Sequence, residues 1–287
     1  MPTEPVQLII SVLEVSLLLA GAIVLFRLLA DPVRRSRWLA PRPLPAWPVT
    51  LPEFFIFVFL IFGSGVFFQL ALHALLKGFV TASADHDALL VCLGGLGLDG
   101  GGLVGWLLFR AMQKTWRPVV GEAPAQVTPA PSLPWLKVWL YAGGTLLAAL
   151  PILILFNVSW LWVLDKLGLP DEPQDLLAIF THAKSPFVVA ALLAVACGLA
   201  PLYEELLFRG GLYRFCRQRL GRNWALAISG LLFGAMHQNL ASFLPLSIFG
   251  VVLALAYEAT GSIRVAVVAH ALFNLNTVLI LLSGLPT

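Results

Sequence analysis

The run FFIFVFLIFGSGVFFQLALHALL, residues 54–76, contains no Asp, Glu, Lys or Arg. As a helix it would extend about 35 Å at 1.5 Å per residue. That is enough to cross a hydrocarbon core of about 30 Å. In water such a surface would demand a covering layer that the rest of the chain cannot supply, because the rest is made the same way. Of 287 residues, 59% are hydrophobic and 11% charged, where a soluble domain carries about 25% charged residues. Mean hydropathy is +0.90. The solvent of this chain is lipid.

Working outward from Phe54–Leu76, seven further apolar runs appear. One precedes it, from about Leu8 to Ala30. The others run from about Ala88 to Met112, from about Leu136 to Leu161, from near Phe187 through Pro201, and from near Trp224, Phe243 and Val265. The expected fold is all-α, a polytopic transmembrane helix bundle of about eight spans. The loop charges alternate with this count. Arg34, Arg35, Arg37 and Arg42 follow the first span, whereas Asp85 and Asp87 close the loop after the second. Lys114, Arg117 and Lys137 follow the third, and a loop of acidic balance follows the fourth (Asp165, Asp171, Glu172 and Asp175). Arg214, Arg217, Arg219 and Arg222 follow the fifth, and Arg264 precedes the last. Cationic loops stay in the cytoplasm, so both termini are expected outside it. The composition is compatible with a bacterial inner membrane. Residues 1–7 lack the basic segment of a signal peptide, so the first run is expected to be a retained span. The Pro- and Ala-rich stretch 119–135 reads as a linker. It separates an N-terminal three-helix region, 1–118, from a C-terminal region, 136–287. The net charge of +3 makes no case for a nucleic-acid partner; the bilayer is the partner that the composition demands.

Ionisable groups at the centre of a span cost roughly 2.5 to 3.5 kcal/mol each on insertion scales, so those present are paired or functional. Glu14, Gln69, His73 and Asp99 lie in the N-terminal region. Asp99 belongs to the run Gly94-Gly95-Leu96-Gly97-Leu98-Asp99-Gly100-Gly101-Gly102, which lacks the Lys and Ser/Thr of a phosphate loop. Its glycines read as close helix packing, and the four polar residues as structural contacts. Cys92, Cys197 and Cys216 have no metal-site or disulfide spacing.

The C-terminal region is denser: Glu204, Glu205, Arg209, His237, Asn239, Glu258, His270, Asn274 and Asn276. Glu205 and Arg209, four apart, can pair along one helix face, leaving Glu204 on a neighbouring face without a local partner. Such a carboxylate is suited to take a proton from water. Phe233 and His237 share a face, as do His270 and Asn274, which could donate to an oxygen gaining negative charge. Helical rise places Glu204 about 20 Å from Arg217, His237 about 22 Å from Arg222, and His270 and Asn274 about 9 and 15 Å from Arg264. All are within one core thickness, so one buried polar chamber could hold them.

Glu204-Glu205-Leu206-Leu207-Phe208-Arg209, Phe233-Gly234-Ala235-Met236-His237 and His270-Ala271-Leu272-Phe273-Asn274 together resemble the CPBP group. This group comprises the type II CAAX prenyl endopeptidases and the bacteriocin-processing or immunity (Abi) proteins. The resemblance covers about the last third of the chain, with a core of about 186–282. It implies an intramembrane endopeptidase, commonly classed as a metalloprotease, acting on a peptide or membrane-protein substrate. By the resemblance, Glu204 activates water, His237 positions that water or a metal, and His270 and Asn274 hold the oxyanion. Glu205, Arg209 and Phe233 look like supporting groups. Zn2+ is a possible cofactor, with Glu204, His237 and His270 as ligands; a metal-free route through the same groups is the alternative. Two other readings are a proton-coupled transporter and a catalytically silent immunity or scaffold member of the same family.

Overall fold

The computed structural model describes residues 4–42, 44–45, 47–76, 85–119, 133–172, 179–180 and 182–284. Most of the expected linker 119–135 lies outside them. Nine helices are described: α1 (Glu4–Ala30), α2 (Pro32–Leu39), α3 (Leu51–Leu76), α4 (His86–Val119), α5 (Trp135–Leu167), α6 (Pro186–Leu220), α7 (Arg222–Met236), α8 (Leu240–Thr260) and α9 (Ile263–Leu282). The described residues are 88% helical, with no strand among them. Seven helices are long and apolar enough to cross a membrane. The exception is α7, at the sixth expected span. Its 15 residues rise about 22 Å.

Side-chain contacts sort the loops onto two faces. On one face, Arg214, Arg217, Arg219 and Arg222 donate to the carbonyls of Pro45, Arg42, Val49 and Leu39. Arg264 donates to Leu133 O on that face. On the other, Asp85 accepts from the backbone N–H groups of Lys184 and Ser185, and Asn239 donates to Glu172 O. The basic loops therefore gather on one face and the acidic ones on the other. The short α7 still runs between the two faces, from Arg222 to Asn239, but seven helices among the described residues, not the eight expected, have the length and apolarity of a span. The chain is a multi-pass membrane protein.

Small residues set the spacing of the helices. On α4, a Cβ at Gly97, Gly101 or Gly105 would lie 2.4, 2.6 or 2.2 Å from Gln69 Cα, Ser64 O and Leu60 O of α3. The stripe recurs every four residues and brings the backbones together, as close packing in lipid requires. Gly230 and Gly234 do the same for α7 against Ser247 of α8. α1 stands apart from α3 and α4. It packs on α5, where Gly21 meets Leu147 O, and Glu14 accepts from Asn276 Nδ2 of α9 at 3.2 Å.

Within α6 the backbone changes pitch twice, with π segments at Val195–Leu199 and Leu206–Tyr213. They flank Ala200–Glu205, the turn that carries both glutamates. Proline explains the first. Ala200 N–H bonds to Val195 O, five residues back, so the Ala196 carbonyl would need the N–H of Pro201, which has none. Single π turns inside α-helices are frequent at functional sites.

Candidate active site

Side chains of all three motifs meet where α6, α7, α8 and α9 pack together. The spacing expectation for Glu205 and Arg209 holds. Arg209 Nη1 donates to Glu205 Oε1 at 2.7 Å, and both side chains have no exposure. Arg209 Nη2 donates to Gly250 O of α8 at 2.7 Å. The guanidinium carbon lies 4.6 Å from the centre of the Phe233 ring. A charge at this depth survives only with partners; these contacts occupy both terminal nitrogens, while the buried Nε has no hydrogen-bond partner.

Glu205 has a second partner. His270 Nδ1 lies 3.0 Å from Glu205 Oε1. A carboxylate accepts, so Nδ1 carries the proton, which fixes the tautomer and leaves Nε2 open. That Nε2 is 3.9 Å from Glu204 Oε2. The gap is too wide for a direct hydrogen bond but narrow enough for one water to bond both atoms from the side. Glu204 is the more exposed of the two, at 14%, and its buried Oε2 has no hydrogen-bond partner. Adjacent glutamates therefore separate by role: Glu205 is committed to Arg209 and His270 through Oε1, its Oε2 lacking a partner, while Glu204 makes no hydrogen bond to a described residue and is the one of the two with any exposure.

Phe233 joins the motifs. Its ring centre is 5.1 Å from that of His237 and 5.5 Å from that of His270. Phe249 packs edge-on against His270 from the other side, at 5.6 Å. His237 caps α7, and its Nδ1 is 2.9 Å from Phe233 O. Its Nε2 is also left open.

Asn274 differs from the expectation. Its amide donates to Ala196 O at 2.7 Å, the carbonyl that Pro201 cannot serve. It thus clamps α9 to the widened part of α6, and this N–H is not free for an oxyanion. Three other residues of the polar list fall outside the cluster. Asn239 caps α8, Asn276 pairs with Glu14, and Glu258 binds Arg217 and Arg222 at the basic face.

The depth mismatch between the motifs also resolves. Ile263 lies beside Gly210, so α9 starts well below the level of Arg217. The long Arg264 side chain reaches outward to Leu133 O, as basic side chains do near an interface. His270 thereby reaches the level of Glu205.

The zinc expectation meets a mixed result. Both imidazoles donate through Nδ1 and leave Nε2 open, the arrangement that metal-ligating histidines adopt. Yet among the described residues no three His, Cys, Asp or Glu side chains stand close enough to hold a metal ion. Glu204, His237 and His270 do not form a ligand set in this geometry, and no step below is routed through a metal. The three cysteines are free, two of them buried.

Two participants were not legible from spacing. Phe249 supports His270 from α8, and Tyr203 is 3% exposed with a hydroxyl that has no hydrogen-bond partner. Tyr203 precedes the glutamate pair, so an unsatisfied buried hydroxyl beside a motif was the available signal.

Residues 186–276 match the family model described as Type II CAAX prenyl endopeptidase Rce1-like. No curated protein and no solved structure matches the chain. The matched segment runs from the start of α6 to Asn276 in α9, and it contains the glutamate pair, both histidines and Asn274. Over this segment, about a third of its length, the chain is similar to the CAAX-protease-type membrane endopeptidases.

Proposed function

We propose that this protein is an intramembrane endopeptidase in which Glu204 activates the hydrolytic water. The observation that carries the reading is the open Glu204 Oε2 standing 3.9 Å from His270 Nε2. A water bonded to both would give its proton to Glu204 and its oxygen to the carbonyl carbon of the scissile bond. The protonated Glu204 then returns the proton to the leaving amine as the C–N bond breaks. Glu205 orients His270 through Nδ1, and Arg209 holds Glu205 in place. The remaining amide N–H of Asn274 is the donor for the oxyanion, while His237, its Nδ1–H given to Phe233 O, offers an accepting Nε2.

The substrate class is a peptide or membrane-anchored protein whose chain can enter between the helices. By the charge rule the arginine face is cytoplasmic, which puts both termini outside the cytoplasm; a bacterial inner membrane suits the composition. A zinc held by Glu204, His237 and His270 is the other form of the proposal and requires His237 to move. Metal analysis of the purified protein, with cleavage measured before and after chelation, separates the two forms.

The test is cleavage of a fluorogenic transmembrane peptide by purified protein in liposomes. Glu204→Gln should lower kcat by about 10²- to 10⁴-fold with unfolding unchanged, because Oε2 holds no structural contact. Full activity in Glu204→Gln would overturn the assignment.

A further inference from the structure

Asp99 of α4 is the one ionisable side chain at the α4–α6 contact for which neither the fold nor the mechanism gives a use. It is 7% exposed in a span, and it has no hydrogen bond or ion pair to any described residue. Its neighbours on α4 show where it points. A Cβ at Gly95, one turn before, would lie 2.7 Å from Val195 Cγ1 of α6. A Cβ at Gly102, one turn after, would lie 2.2 Å from the Tyr203 ring of α6. Asp99 lies between these two contacts. Its Oδ2 is 4.0 Å from the Cβ position of Gly95, folded back towards Val195, where the first π segment begins. Asp99 bears electrostatically on both Tyr203 and Glu204.

Two buried atoms without a hydrogen-bond partner, the Tyr203 hydroxyl and Glu204 Oε2, thus stand within electrostatic reach of the Asp99 carboxylate. Each would cost several kcal/mol if left dry in hydrocarbon. None bonds another directly. Buried waters settle where two to four polar groups converge without direct contact.

We propose that Asp99, Tyr203 and Glu204 Oε2 form a water seat between α4 and α6, from which hydrolytic water is supplied to Glu204. The proposal rests on the peptidase reading for its role, though not for its existence. Each turnover consumes one water in a medium that contains almost none. A seat beside the base keeps the next one at hand. Asp99 and Tyr203 exchange no electrons in the reaction; they hold a water until Glu204 takes its proton. Asp99 is a positioning residue, and the N-terminal helices thereby contribute to the site.

Two measurements test it. The first is thiol labelling in liposomes with a small charged methanethiosulfonate, with Cys92, Cys197 and Cys216 changed to alanine. Asp99→Cys should react at least about 10-fold faster than Leu107→Cys, because only a hydrated thiol forms the reactive thiolate. Leu107, on the same helix, is 59% exposed and faces lipid. Equal rates would overturn the seat. The second is kinetics. Asp99→Leu should lower kcat about 10- to 100-fold, with KM unchanged, since a misplaced reactant costs rate. Asp99→Asn, which can still hold water, should recover most of the loss. A raised KM with normal kcat, or no effect, would overturn the role. If wild-type protein cleaves no peptide, the peptidase reading fails and labelling still decides the seat. If Asp99→Leu does not fold, Asp99→Asn and labelling decide.

Discussion

Arg209→Met removes the cation of the buried pair and keeps its volume. In the native protein the guanidinium satisfies Glu205 Oε1 and Gly250 O, each at 2.7 Å, at zero exposure. Without it, Glu205 is a buried carboxylate with only His270 for a partner. Breaking a buried pair by removing one member costs about 3–5 kcal/mol. Part of that is the uncompensated charge, and a further ~1 kcal/mol is the orphaned Gly250 carbonyl. The double variant Glu205→Gln/Arg209→Met removes both charges. Replacing a whole buried pair by neutral groups is often near neutral, so the double variant should regain about 2–3 kcal/mol of the loss. Its activity should not return, because His270 would face an amide in place of the carboxylate that orients it. Stability would be read by denaturant titration of helix content in mixed micelles, and activity by peptide cleavage in liposomes. A double variant as unstable as Arg209→Met would refute the argument that the stranded charge is the penalty. A double variant that is stable and fully active would refute the role given to Glu205.

Gly105→Ala should destabilise by about 1–3 kcal/mol, because overpacking forces backbones apart and its Cβ would lie 2.2 Å from Leu60 O. Gly100→Ala, with nothing within 4 Å, is the control and should leave thermal unfolding unchanged or raise its midpoint. Asn274→Ala should cost about 0.6–1.7 kcal/mol, the range of interhelical hydrogen bonds in membranes, and raise protease sensitivity near the first π segment, where Ala196 O loses its donor. Phe233→Ala should cost about 3–5 kcal/mol and lower activity even in conditions where the protein remains folded, because the ring spaces His237, His270 and Arg209; normal kcat in the folded variant would refute that function.

The polar cluster was only partly legible before the helices were assembled. Glu205 and Arg209 could be paired from their spacing, since both sit on one helix and four residues bring side chains onto one face. The same rule detached Glu204 from that face. The partner of His270 could not be read this way. It contacts Glu205 through Nδ1 and only approaches Glu204, and which glutamate it meets depends on how α9 is rotated and raised against α6. Asn274 shared a face with His270 and so seemed available to a substrate; its amide is used by a carbonyl that Pro201 leaves unbonded. Depth counted from Arg264 placed His270 too near the surface, because the arginine side chain extends beyond its own helix start.

By itself the sequence determined that the chain lives in lipid, where its spans begin and which loops share a face, because transfer of apolar length and of cationic loops is a local cost paid segment by segment. It also determined the pairing within α6 and the glycine stripe of α4. Only the tertiary structure decided which imidazole nitrogen stays open, which glutamate is committed, and that Asp99 of the third span lies beside Tyr203. The reason is geometric: spacing along one helix sets which side chains share its face, and leaves undetermined how one helix is turned and shifted against the next.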